Sequence, residues 1–220
     1  MKVLFIAPHP DDETIGAGGS IARHCALGDH VYWCIVTKGY SPHWSEETLQ
    51  TIREQIDSIE KFYGFKKVYR LGFPTVRLNT VPHMELCGAL QNVIEEIKPD
   101  IIYTTSRNDA NLDHRIVYDC TLVATRPLPG NGVRRVLSYE IGYTNHFGVP
   151  SGASMFQPTV FVDINDYLDK KIGAMRLYET ELRSLPHPRN VDSIRLVAKE
   201  RGLCVGYEAA ECFELVRELM

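Results

Sequence analysis

A chain of 220 residues that is 44% hydrophobic and 24% charged suffices for one globular domain of moderate size with a full core, which argues against a second independent domain. The formal charge of -4 comes without a dense Lys/Arg stripe, so neither nucleic acid nor an anionic membrane is expected as the main partner. Apolar runs stay far short of the roughly 20 residues that span a bilayer, and the N-terminus reads as a strand rather than a signal peptide; a cytoplasmic protein without membrane insertion is expected.

In chain order, the pattern predicts a strand near 2–7, a helix near 16–28, a strand from His30 to Val36, a helix near 46–63 and a strand from Lys67 to Leu71. A helix near 83–97, the strand Asp100 to Thr104, a helix from Asp113 to Thr125 and the strand Arg134 to Ile141 follow. Composition then shifts to Gly, Pro, Ser, Asn and aromatics over 142–158, a long surface loop. A strand at Thr159 to Ile164, a helix from Asp166 to Arg183, a break at Leu185-Pro186-His187-Pro188-Arg189 and a last helical region from Val191 complete the reading, with segment 185–220 packing on the same domain. Strand-helix alternation of this kind predicts an α/β, Rossmann-like three-layer sandwich with a mostly parallel sheet.

Chemistry concentrates at two places. His9, Asp11, Asp12 and Glu13 form the run Pro8-His9-Pro10-Asp11-Asp12-Glu13 directly after the first strand. Acidic side chains this dense at the end of a core strand repel one another unless a cation or substrate neutralises them. A helix cap needs one such side chain, and the run supplies four groups. The second place is Asn108-Asp109-Ala110-Asn111-Leu112-Asp113-His114-Arg115, which follows the fourth strand. With strand order 3-2-1-4-5, strands one and four are neighbours at the reversal point, and both motifs open into one crevice.

His9 and Asp12, three apart in a turn, face one point that His114 completes. Two nitrogens and a carboxylate suit catalytic Zn²⁺ with one open position, and also non-haem Fe²⁺. Asp11 is then the candidate general base, and Glu13 orients a ligand from behind. Asp113 reads equally well as a helix N-cap. Gly16-Ala17-Gly18-Gly19 invites a dinucleotide reading, but three acids stand where the pyrophosphate belongs, so close helix-strand packing is the better account. Cys25, Cys34, Cys87, Cys120, Cys204 and Cys212 lack the two-residue spacing of a zinc clip and are expected as free, buried thiols. His24, His30 and His83 are expected to be structural or solvated. His43 and His146 fall in loops near the expected mouth, where Trp44, Tyr143 and Phe147 are candidates to stack on a sugar ring.

The His-Pro-Asp-Asp-Glu run resembles the signature of the PIG-L/LmbE-like zinc-dependent deacetylases, which act on N-acetylglucosamine-type substrates. The resemblance continues through the glycines at 16–19, Arg53, Phe62-Tyr63-Gly64, Leu112-Asp113-His114-Arg115 and Leu137-Ser138-Tyr139-Glu140. It extends to Phe161-Val162-Asp163-Ile164, His187-Pro188-Arg189, Arg201-Gly202 and Ala210-Glu211-Cys212-Phe213. It implies a single deacetylase-like domain over 1–220, metal held by His9, Asp12 and His114, Asp11 as base, and Arg53 on the substrate or the oxyanion. Asn111 stands where several subgroups carry a histidine, and an amide cannot shuttle a proton at neutral pH. The general acid is then either Asp11 itself or His187, with Arg189 and Tyr143 near the substrate. The implied partner is a small amino-sugar substrate, with another amide such as a thiol-sugar conjugate or antibiotic intermediate as the alternative. Relatives of this kind often assemble as homo-oligomers.

Overall fold

The computed structural model describes residues 1–128, 130, 132–142 and 155–220. Five parallel strands form the first part of a seven-stranded sheet: β1 (Lys2–Ala7), β2 (His30–Lys38), β3 (Lys67–Pro74), β4 (Ile101–Thr105) and β5 (Arg135–Tyr139). The connecting helices are α1 (Asp12–Ala26), α2 (Glu46–Tyr63), α3 (His83–Ile97) and α4 (Leu112–Ala124). Then come β6 (Val160–Asp163), α5 (Leu168–Leu177), α6 (Val191–Leu203) and β7 (Ala210–Glu218). The sheet order is β3-β2-β1-β4-β5-β7-β6, so the expected 3-2-1-4-5 winding is present.

Alternation along β1 explains the three layers, because successive side chains of a strand point to opposite faces. Val3, Phe5 and Ala7 join a core with Ile21 of α1, Ile59 of α2, Ile172 of α5 and Ile194 of α6. Leu4 and Ile6 point the other way, into a core with Leu90 of α3 and Val117 of α4. Each of the Val, Leu, Ile and Phe side chains among them, when fully buried, stabilises the fold by about 1.5–3 kcal/mol. None of the described helices is long and apolar enough to cross a membrane.

Three sequence expectations are corrected. Helix α1 begins at Asp12 rather than near 16, so the acidic run forms its first turn, where the helix dipole favours negative charge. The helix expected over 166–183 is a 3₁₀ turn at Asn165–Tyr167 followed by α5, which ends at Leu177. The helical region expected from Val191 stops at Leu203, and Ala210–Glu218 is a strand antiparallel to both β5 and β6. Glu211, Glu214, Arg217 and Glu218 are spaced three or four apart in part of that segment, which imitates a helical face.

The glycines of α1 serve close packing. A Cβ on Gly16 would lie 2.2 Å from the Tyr139 ring of β5, and one on Gly19 would lie 2.8 Å from Ile164. The helix also breaks regularity at Ala17, with φ -144° and ψ 17°. Glu211 of β7 meets the N–H groups freed there, accepting from Gly19 N at 2.8 Å and Ser20 N at 2.7 Å. Lys171 neutralises that buried carboxylate at 2.6 Å and donates to Ile15 O. Gly16→Ala is expected to cost about 1–3 kcal/mol through overpacking against Tyr139, read as a lower urea midpoint with an unchanged slope.

Candidate active site

The carboxyl ends of β1 and β4 lie side by side at the reversal of strand order, and the two motifs meet there. His9 Nδ1, Asp12 Oδ2 and His114 Nε2 form a triangle with sides of 3.2, 3.2 and 3.3 Å. An ion with bonds of about 2.0–2.1 Å to tetrahedral ligands separates them by about 3.3 Å, so the three donors match one cation. Their chemistry fits as well, being two imidazoles and a carboxylate.

Both imidazoles are oriented from behind. His9 Nε2 donates to Asp113 Oδ2 at 3.1 Å, and His114 Nδ1 donates to Asp109 Oδ2 at 2.8 Å. A carboxylate on the far nitrogen fixes the tautomer that leaves the near nitrogen to a metal. Asp113 is itself held by the N–H groups of Val76 at 2.6 Å and Leu78 at 3.2 Å. Val76 takes φ 60°, an unfavourable conformation for a β-branched residue, and thereby presents its N–H to Asp113. Asp109 Oδ1 accepts from Asn111 N at 2.8 Å. Asp109→Asn and Asp113→Asn are each expected to weaken metal affinity about 10- to 100-fold, measured by competition with a chromophoric chelator.

The electrostatics suit a cation. Burial acts to lower the His9 pKa, but Asp113 and Asp12 outweigh it and raise it to about 9. Burial likewise opposes a charged His114, and Asp12 and Asp109 raise its pKa to about 10. Burial pushes the Asp12 pKa up, while the charges and hydrogen bonds of His114 and His9 hold it far below the usual carboxylate range. Without a cation, protons on the imidazoles supply the positive charge that Asp12 requires.

Asp11 is the N-cap of α1 at φ 108°, left-handed backbone that non-glycine residues rarely adopt. It is 1% exposed, and neither carboxylate oxygen accepts a hydrogen bond among the described residues. Arg189 Nη2 lies 3.2 Å from its Oδ2. Burial raises the Asp11 pKa well above the carboxylate range, against the opposing charge of Arg189. Glu13 stands behind this turn: its Oε2 accepts from Asp11 N at 3.3 Å, and its Oε1 accepts from Thr14 Oγ1 at 2.6 Å and Tyr178 Oη at 2.8 Å. Glu13 therefore acts on the backbone of Asp11. Burial, against the hydrogen bonds of Thr14 and Tyr178, brings its pKa to about 7.

Other sequence candidates fall differently. Asn111, not Asp113, is the N-cap of α4, its side-chain oxygen accepting from Asp113 N at 3.0 Å. Arg53 is exposed on α2 and donates to Gln50 Oε1 at 3.0 and 2.8 Å. His187 is exposed and accepts from Arg189 N at 3.0 Å; the side chain its loop brings to Asp11 is Arg189, which also pairs with Glu181. Tyr143, His146 and Phe147 lie outside the described residues. Trp44 packs against Tyr40 and His43, with ring centroids 5.7 and 6.1 Å apart. His24 is structural as expected, bonded to Asp29 at 2.7 Å and Tyr103 at 3.1 Å. Beside Arg189 a cavity of about 600 Å³ opens, lined by Ile15, Gly16, Ile194, Val197 and Arg201 among others.

Asp109 and Tyr178 are the supports that sequence reading did not single out. For Asp109 a signal existed, since a histidine ligand needs an acceptor on its far nitrogen and this carboxylate lies five residues before His114. Tyr178 has no such local signal.

The fold and the donor triangle together define an α/β protein with a metal-binding group at the switch point of its sheet. The chain belongs to the PIG-L family, described as GlcNAc-PI de-N-acetylase, whose family model matches residues 4–125. It is 27% identical over 184 residues to the uncharacterized deacetylase YaiS of Escherichia coli, covering 81% of this chain and 90% of that protein. It is 26% identical over 238 residues to the diacetylchitobiose deacetylase of Thermococcus kodakarensis, covering 98% and 83%. The conserved protein TT1542 of Thermus thermophilus has the same fold, with a TM-score of 0.79 at 23% identity over 99% of this chain and 96% of that one.

Proposed function

We propose that this protein hydrolyses the N-acetyl amide of an N-acetylglucosamine-type sugar or sugar conjugate, with His9, Asp12 and His114 holding a divalent cation, Zn²⁺ in our reading. The observation that carries this is Asp11, a buried carboxylate that accepts no hydrogen bond among the described residues and is paired with Arg189, one residue from a donor triangle of tetrahedral dimensions. When bound, the cation supplies Lewis acidity towards the acetyl carbonyl and acidifies a water. Asp11 takes the proton from the attacking water, as a carboxylate beside the cation is placed to do. The same carboxyl then hands that proton to the departing amine, because its loop brings Arg189 rather than His187 to Asp11. Arg189 steadies Asp11 while it is ionised. Asn111 offers its amide N–H groups to the developing oxyanion while its carbonyl caps α4. Arg53, exposed on α2, binds the substrate's periphery in this reading.

The aromatic group of Tyr40, His43 and Trp44 follows β2 and forms a stacking wall for a sugar ring. The cavity beside Arg189 has the volume of a small-molecule site and favours a conjugate over a free monosaccharide. The test is acetate release by zinc-loaded protein from N-acetylhexosamines that are free, glycosidically linked, thiol-conjugated and nucleotide-linked, with Asp11→Asn as control. Release that vanishes in the variant supports the reading and ranks substrates. No release from any member refutes the amino-sugar assignment and turns the search to other amides.

A further inference from the structure

His83 and Cys87 lie four residues apart on α3, so they share one helix face, and Cys120 approaches them from α4 on the same side of the sheet. His83 Nε2 is 3.3 Å from Cys87 Sγ, and His83 Nδ1 is 3.4 Å from Cys120 Sγ. One donor atom from each residue lies within 4.8 Å of the others. We propose that these three residues form a second cation site, which takes a soft divalent ion of the zinc type and clamps α3 to α4. This site does not depend on the deacetylase reading.

Ligand chemistry selects the ion. Two sulfurs and an imidazole are soft donors that suit Zn²⁺ and leave Mg²⁺ or Ca²⁺, which demand oxygen, without partners. Charge allows it to sit here. Cys87 and Cys120 are 6% and 0% exposed, and a lone thiolate there would be costly. A divalent ion with two thiolates and a neutral imidazole sums to zero. The binding step balances without an oxidant: two S–H protons leave to solvent as two metal–sulfur bonds form. Little is lost in exchange, because thiols make only weak hydrogen bonds to the ring they now touch. His83 is exposed, so the fourth position faces water and the ion can enter and leave.

The sequence conceals this group because its cysteines are 33 positions apart, without the two-residue spacing of a clip. The fold places it near the first site's supports. Cys120 follows His114 on the same helix by six residues, roughly 9 Å of rise. Helix α3 begins just after the turn whose Leu78 N–H holds Asp113.

The experiment is anaerobic titration of reduced, metal-free, full-length protein with Co²⁺, whose thiolate complexes absorb by charge transfer in the near ultraviolet. Two equivalents bound, one of them with that band, is the expected result. His83→Ala, exposed and therefore compatible with folding, and Cys120→Ala should each weaken the band-forming site at least about tenfold, leaving the other equivalent in place. His114→Ala should do the reverse. Zn²⁺ should abolish the band, and a hundredfold excess of Mg²⁺ should not. Binding of Co²⁺ without a thiolate band would overturn the proposal, as would a band undiminished in both the His83 and Cys120 variants.

Discussion

Asp11→Asn is expected to retain a full complement of metal while turnover falls by about 10²- to 10⁴-fold, the range that a positioned proton acceptor contributes. The amide matches the carboxylate in shape, so the φ 108° turn and its hold on Glu13 persist. What disappears is the capacity to accept a proton. Metal content by mass spectrometry and acetate release on one preparation separate the two effects. A variant that turns over at the wild-type rate would remove Asp11 from the base role, and a variant that loses its metal would make Asp11 part of the cation site.

His114→Ala and Asp12→Ala, by contrast, should remove the ion of this site and activity together, because either change leaves two donors where three form the triangle. The sign of the pH dependence follows from the same side chains. In the metal-free protein the His9 and His114 pKa values stand at about 9 and about 10, so both rings carry protons at neutral pH. A cation must displace them. Affinity should therefore rise with pH through the neutral range, by up to about 100-fold per unit if two protons leave, and flatten once pH exceeds those values. Chelator competition at several pH values checks this, and affinity independent of pH would contradict it.

The parallel half of the sheet was legible because its inner strands are buried on both faces and read as short apolar runs, as Leu4 and Phe5 of β1 show. The site was legible for a related reason: His9 to Glu13 is a dense polar run with no packing explanation, and the 3-2-1-4-5 order brings it to His114. Strand β7 was not legible, because its charged residues find their partners far away in sequence. Glu211 meets Lys171 and the backbone of α1, and Glu214 accepts from Ser138 at 2.9 Å. The sequence cannot display such partners locally. The same holds for Arg189, whose contact with Asp11 joins positions 178 residues apart. The late family-like stretches gain a physical meaning only in three dimensions: Glu140 accepts from Arg201 at 2.9 and 2.7 Å and from Cys212 at 3.7 Å.

The place of β7 between β5 and β6 also sets an order of events during synthesis. Strand β6 pairs only with β7 among the described strands, so it stays unpaired as it leaves the ribosome and waits for about 47 further residues. His9, Asp12 and His114 are all made by position 114. Glu211, which caps the second half of α1, emerges almost a hundred residues later. A nascent chain thus owns His9, Asp12 and His114 well before the sheet that steadies them is closed, and the last of the described strands to appear is an interior one.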